Sequence, residues 1–169
     1  MMAVLLANFQ HKLVGDTEPG ELFRIRFRTG FAICVNIEPA NGGLVRLAVL
    51  QGTDIRHPTF LSSEAAKPCM SYGTAWAIEP TIGDESFPAT ECGNMATLYI
   101  GNELAALRLD PPTAASDFDC FHIDLVNGGS VELNGAFVPS ARWKIWAVED
   151  DRNRPGAKPI VEFGEPAAA

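Results

Sequence analysis

Residues 21–28 and 31–37 read ELFRIRFR and FAICVNI, two runs in which every second side chain is apolar, joined through Thr29 and Gly30. Period-two alternation sends one set of side chains to each face of an extended strand, and it does not fit the 3.6-residue period of an amphipathic helix. This pair commits the first third of the chain to a β-hairpin. Residues 44–50 (LVRLAVL) are nearly continuously apolar, broken by Arg46, which suggests a strand covered on both sides or one at a sheet-to-sheet boundary. Further strand candidates follow at 74–79 (TAWAIE), 95–100 (MATLYI), 103–109 (ELAALRL), 119–126 (DCFHIDLV), 130–134 (SVELN) and 142–148 (RWKIWAV). Turn signals separate them: PANGG at 39–43, Gly101-Asn102 and Asn127-Gly128-Gly129. ELAAL also holds good helix formers, but Pro111-Pro112 ends that segment firmly.

No strand is followed by a long helical pattern, so the expected class is all-β. The expectation is an antiparallel β-sandwich or closed β-barrel of roughly eight to ten strands with at most one or two short helices. Residues 1–150 read as one antiparallel domain. Residues 151–169 read as a C-terminal extension, partly docked through PIVEF at 159–163, with a loose end.

Register follows from keeping apolar faces pure. A three-residue loop at Arg28-Thr29-Gly30 pairs Phe27 with Phe31, Ile25 with Ile33 and Phe23 with Val35. Gly30 then occupies the left-handed position of a G1 bulge, and Arg24 and Arg26 lie beside Cys34 and Asn36. The same rule at 127–129 pairs Leu125 with Val131, Ile123 with Leu133 and Phe121 with Gly135. The expected interior is Phe23, Ile25, Phe27, Phe31, Ile33, Val35, Phe121, Ile123, Leu125 and Val131. Residues 51–73 lack lasting alternation and contain His57-Pro58 and Lys67-Pro68. They read as a long connection, a lid or interface arm, with a short helix capped at Ser62 or Ser63 and ended by Pro68.

Charge is unevenly placed. The formal net charge is -8. Residues 1–56 contribute six basic and five acidic groups, and residues 57–169 contribute seven basic and sixteen acidic groups. This balance argues against a nucleic-acid-binding protein. Arg24, Arg26 and Arg28 alternate along one segment. Arginine suits bidentate contact with carboxylate or phosphate, and these three either serve such a ligand or answer the acidic remainder of the chain, in cis or across a subunit interface. The 169-residue chain has no apolar run long enough for a membrane span and no basic-then-apolar secretory leader, so a cytoplasmic setting is expected. Cys34, Cys69, Cys92 and Cys120 match no compact metal or redox spacing and are expected as reduced thiols.

No phosphate loop, nucleophile elbow, HExxH or EF-hand pattern is present. The sharpest chemical feature is the stripe Cys120, His122 and Asp124, alternate residues of one strand. The expected register sets Glu132 opposite Asp124. Together these are the metal-ligand candidates, for zinc or another divalent cation. Cys120, His122 and Asp124 are also the catalytic candidates, as thiolate, base and orienting carboxylate, with His57 in the TDIRHP loop as a further candidate base. Polar alternate residues are equally what the wet face of a sheet displays. The leading expectation is a protein that binds or assembles rather than catalyses, without a resident cofactor, as a homo-oligomer (dimer or higher) or with a protein partner. Two-sided apolar character at Leu22, Leu44 or Val45, and Trp146 is the reason for subunit contacts. The alternatives are a metal-binding or hydrolase-like protein using the Cys120 stripe, and a barrel with a ligand in its cavity.

Overall fold

A computed structural model describes residues 9–28, 30–83, 96–101, 104–110, 121–125, 127–133 and 136–164. Six strands open the chain: β1 (Gln10–Leu13), β2 (Leu22–Phe27), β3 (Gly30–Asn36), β4 (Leu44–Gly52), β5 (Thr59–Glu64) and β6 (Pro68–Gly73). Then come β7 (Ala77–Pro80), β8 (Leu98–Ile100), β9 (Ala105–Leu109), β10 (Phe121–Asp124), β11 (Ser130–Val131), β12 (Val138–Ser140), β13 (Trp143–Trp146) and β14 (Val161–Phe163). Short 3-10 turns at Val14–Asp16 and Glu149–Asn153 are the helical elements among the described residues. The fold is all-β and sandwich-like, with three antiparallel sheets and no closed barrel. Among the described residues, no helix is long and apolar enough to cross a membrane.

The strands are more numerous than expected because several hold only two or three residues, too few for alternation to show. The segment 51–73 is also corrected. It is neither an arm nor a helix: β5 and β6 occupy most of it as members of the first sheet, and residues 65–67 form a tight link. Val45 and Ser63 pair across β4 and β5, and both are buried. Neighbouring strands, not propensity, decide such a segment.

The first sheet has the order β1-β6-β2-β3-β4-β5. Laid flat, β5 and β6 would stand four strand spacings apart, about 19 Å. Yet the link from Glu64 to Pro68 spans at most about 14 Å. The sheet must therefore curl. It wraps around a core of Val14, Phe23, Ile25, Ala32, Cys34, Val45, Leu47, Val49 and Cys69, to which, among the described residues, neither other sheet contributes. The 3-10 turn after β1 closes the seam, with Val14 N–H donating to Lys67 O at 2.8 Å and Gly15 N–H to Ala65 O at 2.8 Å.

The other face of this sheet meets the remaining two. Leu22, Ile33, Val35, Ile37, Ala48 and Leu50 pack there with Leu98, Leu107, Leu109, Ile123 and Leu125 of the five-stranded sheet side. Trp143, Ile145 and Val161 of the three-stranded sheet complete this second core. The five-stranded order is β11-β10-β9-β8-β12 and the three-stranded order is β14-β13-β7. Leu22, Val45 and Trp146 are all buried within one chain, so the apolar second face that suggested subunit contacts is satisfied internally, apart from exposed Leu44.

The expected hairpin register is overturned. Phe27 pairs with Gly30, Ile25 with Ala32, Phe23 with Cys34 and Leu22 with Val35, one residue away from the expected pairing. Phe23 and Ile25 thus face the core inside the curled sheet while Ile33 and Val35 face the other sheets. Mixed faces cost nothing here because both sides of the sheet are covered. Phe27 and Phe31 pack only at the margins of these two cores, and Val131 beside Tyr99, Ala106 and Phe137 in a third cluster. Ile123 and Leu125 are buried as expected; the Phe121 side chain lies outside the described residues.

Arg28, not Gly30, takes the left-handed conformation, with φ 51°. Gly30 is needed for another reason: a Cβ there would lie 1.8 Å from Thr53 Oγ1. That hydroxyl accepts the Phe31 N–H at 3.2 Å, and Thr53 N–H returns to Phe31 O at 2.9 Å. Gly30→Ala should push Thr53 aside and lower stability by about 1–3 kcal/mol, read from the urea midpoint.

Candidate functional sites

His122 and Asp124 alternate along β10, with Ile123 between them in the core. His122 stands opposite Arg108 of β9 and Val131 of β11. Its ring meets Tyr99 edge-on, with centroids 5.3 Å apart. Nε2 is buried and has no hydrogen-bond partner among the described residues. Burial holds the imidazole below its usual value, and the Arg108 charge adds to this while Asp110 opposes it. Arg108 Nε contacts Asp110 Oδ1 at 3.3 Å. Asp124 is buried and accepts from Asn127 Nδ2 at 2.7 Å, so its carboxylate braces the β10–β11 turn.

The expected register fails here too. β11 brings Val131 opposite His122 and Ser130 opposite Ile123, three positions from the expected pairing, so Glu132 is not set against Asp124. The reason is Leu125, which enters the common core and donates its N–H to Ala105 O at 2.8 Å instead of pairing with Val131. Gly128 and Gly129, at φ 72° and 83°, absorb the wider turn. Glu132 is exposed, and His57 is exposed in the β4–β5 link. Cys120 lies outside the described residues. Among those described, no three His, Cys, Asp or Glu side chains are grouped to hold a metal ion.

An imidazole kept neutral by burial makes a prediction. The NMR titration midpoint of His122 should fall below 6.5. Because the unfolded chain takes up that proton first, stability should decline as pH falls below 6.5. His122→Phe should flatten that part of the profile.

Of the four cysteines, Cys34 and Cys69 are described, and both are buried and free. Burial pushes both thiols up, Cys69 to about 11, so neither is a nucleophile at neutral pH.

A different site emerges at the turn end of the β2–β3 hairpin. His11, Met70, Arg24 and Ile33 form a row across β1, β6, β2 and β3, and Arg26 pairs with Phe31 in the next row. The other sheets cover this face around Leu22 and Val35 but leave Arg24 and Arg26 exposed. An open groove of about 530 Å³ lies here, lined by His11, Arg24, Arg26, Phe31, Pro68 and Met70 above the backbone at Ile25 and Cys69. The Arg24 guanidinium lies over the Phe31 ring, 4.1 Å from its centroid. Neither Arg24 nor Arg26 forms an ion pair with a carboxylate among the described residues, unlike Arg46, Arg108, Arg152 and Arg154. Among the described residues, no acidic side chain lines the groove.

The alternation of ELFRIRFR marked these arginines, but their separation from the acidic side chains could not be seen before the strands were placed. A second feature had no sequence signal. Glu21 is buried just before β2, where it accepts from Lys12 Nζ at 2.8 Å, Glu18 N–H at 2.8 Å and Ser71 Oγ. This trio ties β1, β2 and β6 together rather than forming an open site. Compared with protein-family models, curated proteins and solved structures, the chain matches none of them.

Proposed function

We propose that this protein binds an anionic partner through the arginine-lined groove and does not work by catalysis. One observation carries the reading: Arg24 and Arg26 stand side by side, exposed and without carboxylate partners among the described residues, on a chain whose net charge is -8. An acidic protein that keeps two adjacent arginines unneutralised has a local field that a partner can complement. The groove also offers the apolar surfaces of Phe31 and Met70, which favour an organic anion over a simple ion.

Assembly with its own copies is the second reading. Residues 57–169 carry sixteen acidic and seven basic groups, so one copy offers the charge that the groove of another would accept. The free thiols Cys34 and Cys69 support a cytoplasmic setting. The Cys120, His122 and Asp124 stripe has weaker support as a metal or catalytic centre, since His122 faces Arg108 and Asp124 is engaged by Asn127.

Calorimetric titration with pyrophosphate and with polyglutamate tests the binding reading. Both should bind the native chain, more weakly as salt rises. Arg24→Glu with Arg26→Glu should abolish binding while leaving the circular dichroism spectrum unchanged. Undiminished binding by that double variant, or no binding by the native chain, would remove the reading.

A further inference from the structure

Resting on the anionic-partner reading, we infer that the groove seats an extended acidic segment of a partner protein, with carboxylates on alternate residues facing Arg24 and Arg26. The spacing is the first reason. Arg24 and Arg26 are alternate residues of β2, so their α-carbons lie about 6.6 Å apart on one face. Alternate residues of an extended peptide repeat at the same distance, so a strand laid along β2 meets one guanidinium with each carboxylate. Adjacent acids would point to opposite sides.

Arg24 is also held ready. Its guanidinium carbon lies over the Phe31 ring, a contact that restrains the side chain and does not use up the N–H fork that a carboxylate accepts bidentately. An arginine so restrained loses less freedom on binding than a free one. The β2–β6 ladder ends at Ile25 and Cys69, and Pro68, the first residue of β6, has no N–H to extend it toward Arg26.

A protein segment is favoured over nucleic acid. Two arginines match two carboxylates, whereas nucleic acid is held through many phosphate contacts, which a chain with net charge -8 is poorly placed to supply. Among the described residues, the phenyl ring that lines the groove is Phe31, and Arg24 lies over it.

The test compares blocked pentapeptides Val-Glu-Val-Glu-Val and Val-Glu-Glu-Val-Val by calorimetry at low salt, with oligothymidylate as a third ligand. The alternating peptide should bind about tenfold more tightly than its isomer, the value of one charge-assisted contact. Arg24→Ala and Arg26→Ala should each remove that advantage. Arg24→Lys keeps the charge but not the fork, and should recover only part of it. Equal binding of the two peptides, with loss in both arginine variants, would overturn the extended-segment inference and leave the anion reading standing. Tighter binding of oligothymidylate would also overturn it. Failure of both peptides, pyrophosphate and polyglutamate would overturn both. Sedimentation of the chain alone covers the remaining source: self-association abolished by Arg24→Glu, without peptide binding, would replace the foreign segment by a second copy.

Discussion

Replacing Trp143 by alanine should destabilise the protein by about 3–5 kcal/mol, more than any other single truncation of its core. Trp143 heads the largest side chains that are fully buried. It lies on β13, the middle strand of the three-stranded sheet, and pairs with Pro80 of β7 and Phe163 of β14. Its ring stacks on Phe163 at 5.2 Å between centroids. Its other contacts join the core shared with the six-stranded sheet. The indole N–H donates to Ala96 O at 3.0 Å, so truncation opens a cavity and leaves that carbonyl unpaired. For a domain of this size the loss corresponds to a fall of about 6–20 °C in melting temperature. Trp143→Phe separates the two contributions. It keeps most of the apolar volume, and its cost should be about 1–3 kcal/mol, the penalty of the orphaned carbonyl. An equal cost for both variants would show that volume matters little at this position.

Glu21 should produce the second large effect, one that depends on pH. Burial alone would raise its carboxyl, but hydrogen bonds from Lys12, Ser71 and the Glu18 amide outweigh burial and hold it below the usual 4.5. The unfolded chain therefore takes up the proton first. The stabilisation is fully present above 4.5 and is lost as pH falls below it through the folded value. Lys12 behaves in the opposite sense: the hydrogen bond to Glu21 holds its ammonium above 10.5, and its contribution is lost as pH rises past that point. Glu21→Ala removes the acceptor from three donors, and because Lys12 can turn to solvent the cost should be about 1–3 kcal/mol at neutral pH. Glu21→Gln keeps the shape and should cost less, while flattening the stability profile below 4.5. Urea midpoints across pH 3–7 for the three proteins, roughly the range in which carboxylates titrate, would check this. An unchanged acid limb in Glu21→Gln would assign the acid sensitivity to other carboxylates.

The strands around Arg24, Ile33, Ile123 and Trp143 were legible because alternation over five or more residues has one structural meaning, and the one around Val49 because its apolar run is nearly continuous. Their registers were not. The rule that apolar residues share a face assumes one covered side, and the six-stranded sheet is covered on both. Ala32 and Cys34, small enough to read as neutral, are what Phe23 and Ile25 actually accompany. Likewise β5 and β6 contain Ser62, Ser63 and Ser71, whose surroundings are set by partners distant in sequence. The candidate stripe at His122 was legible as a face, but its neighbours came from β9 and from a wider turn. The arginine pair was visible from the start. What the sequence did not show was that no described carboxylate pairs with them, a property of the folded surface.

The most direct test of the groove is an amide NMR titration of the intact protein with polyglutamate. Shifts should concentrate at His11, Arg24, Ile25, Arg26, Phe31 and Met70, and the Arg24 and Arg26 Nε–Hε signals should move with them. Shifts centred instead on His122 and Asp124, or none at a polyglutamate excess, would contradict the account.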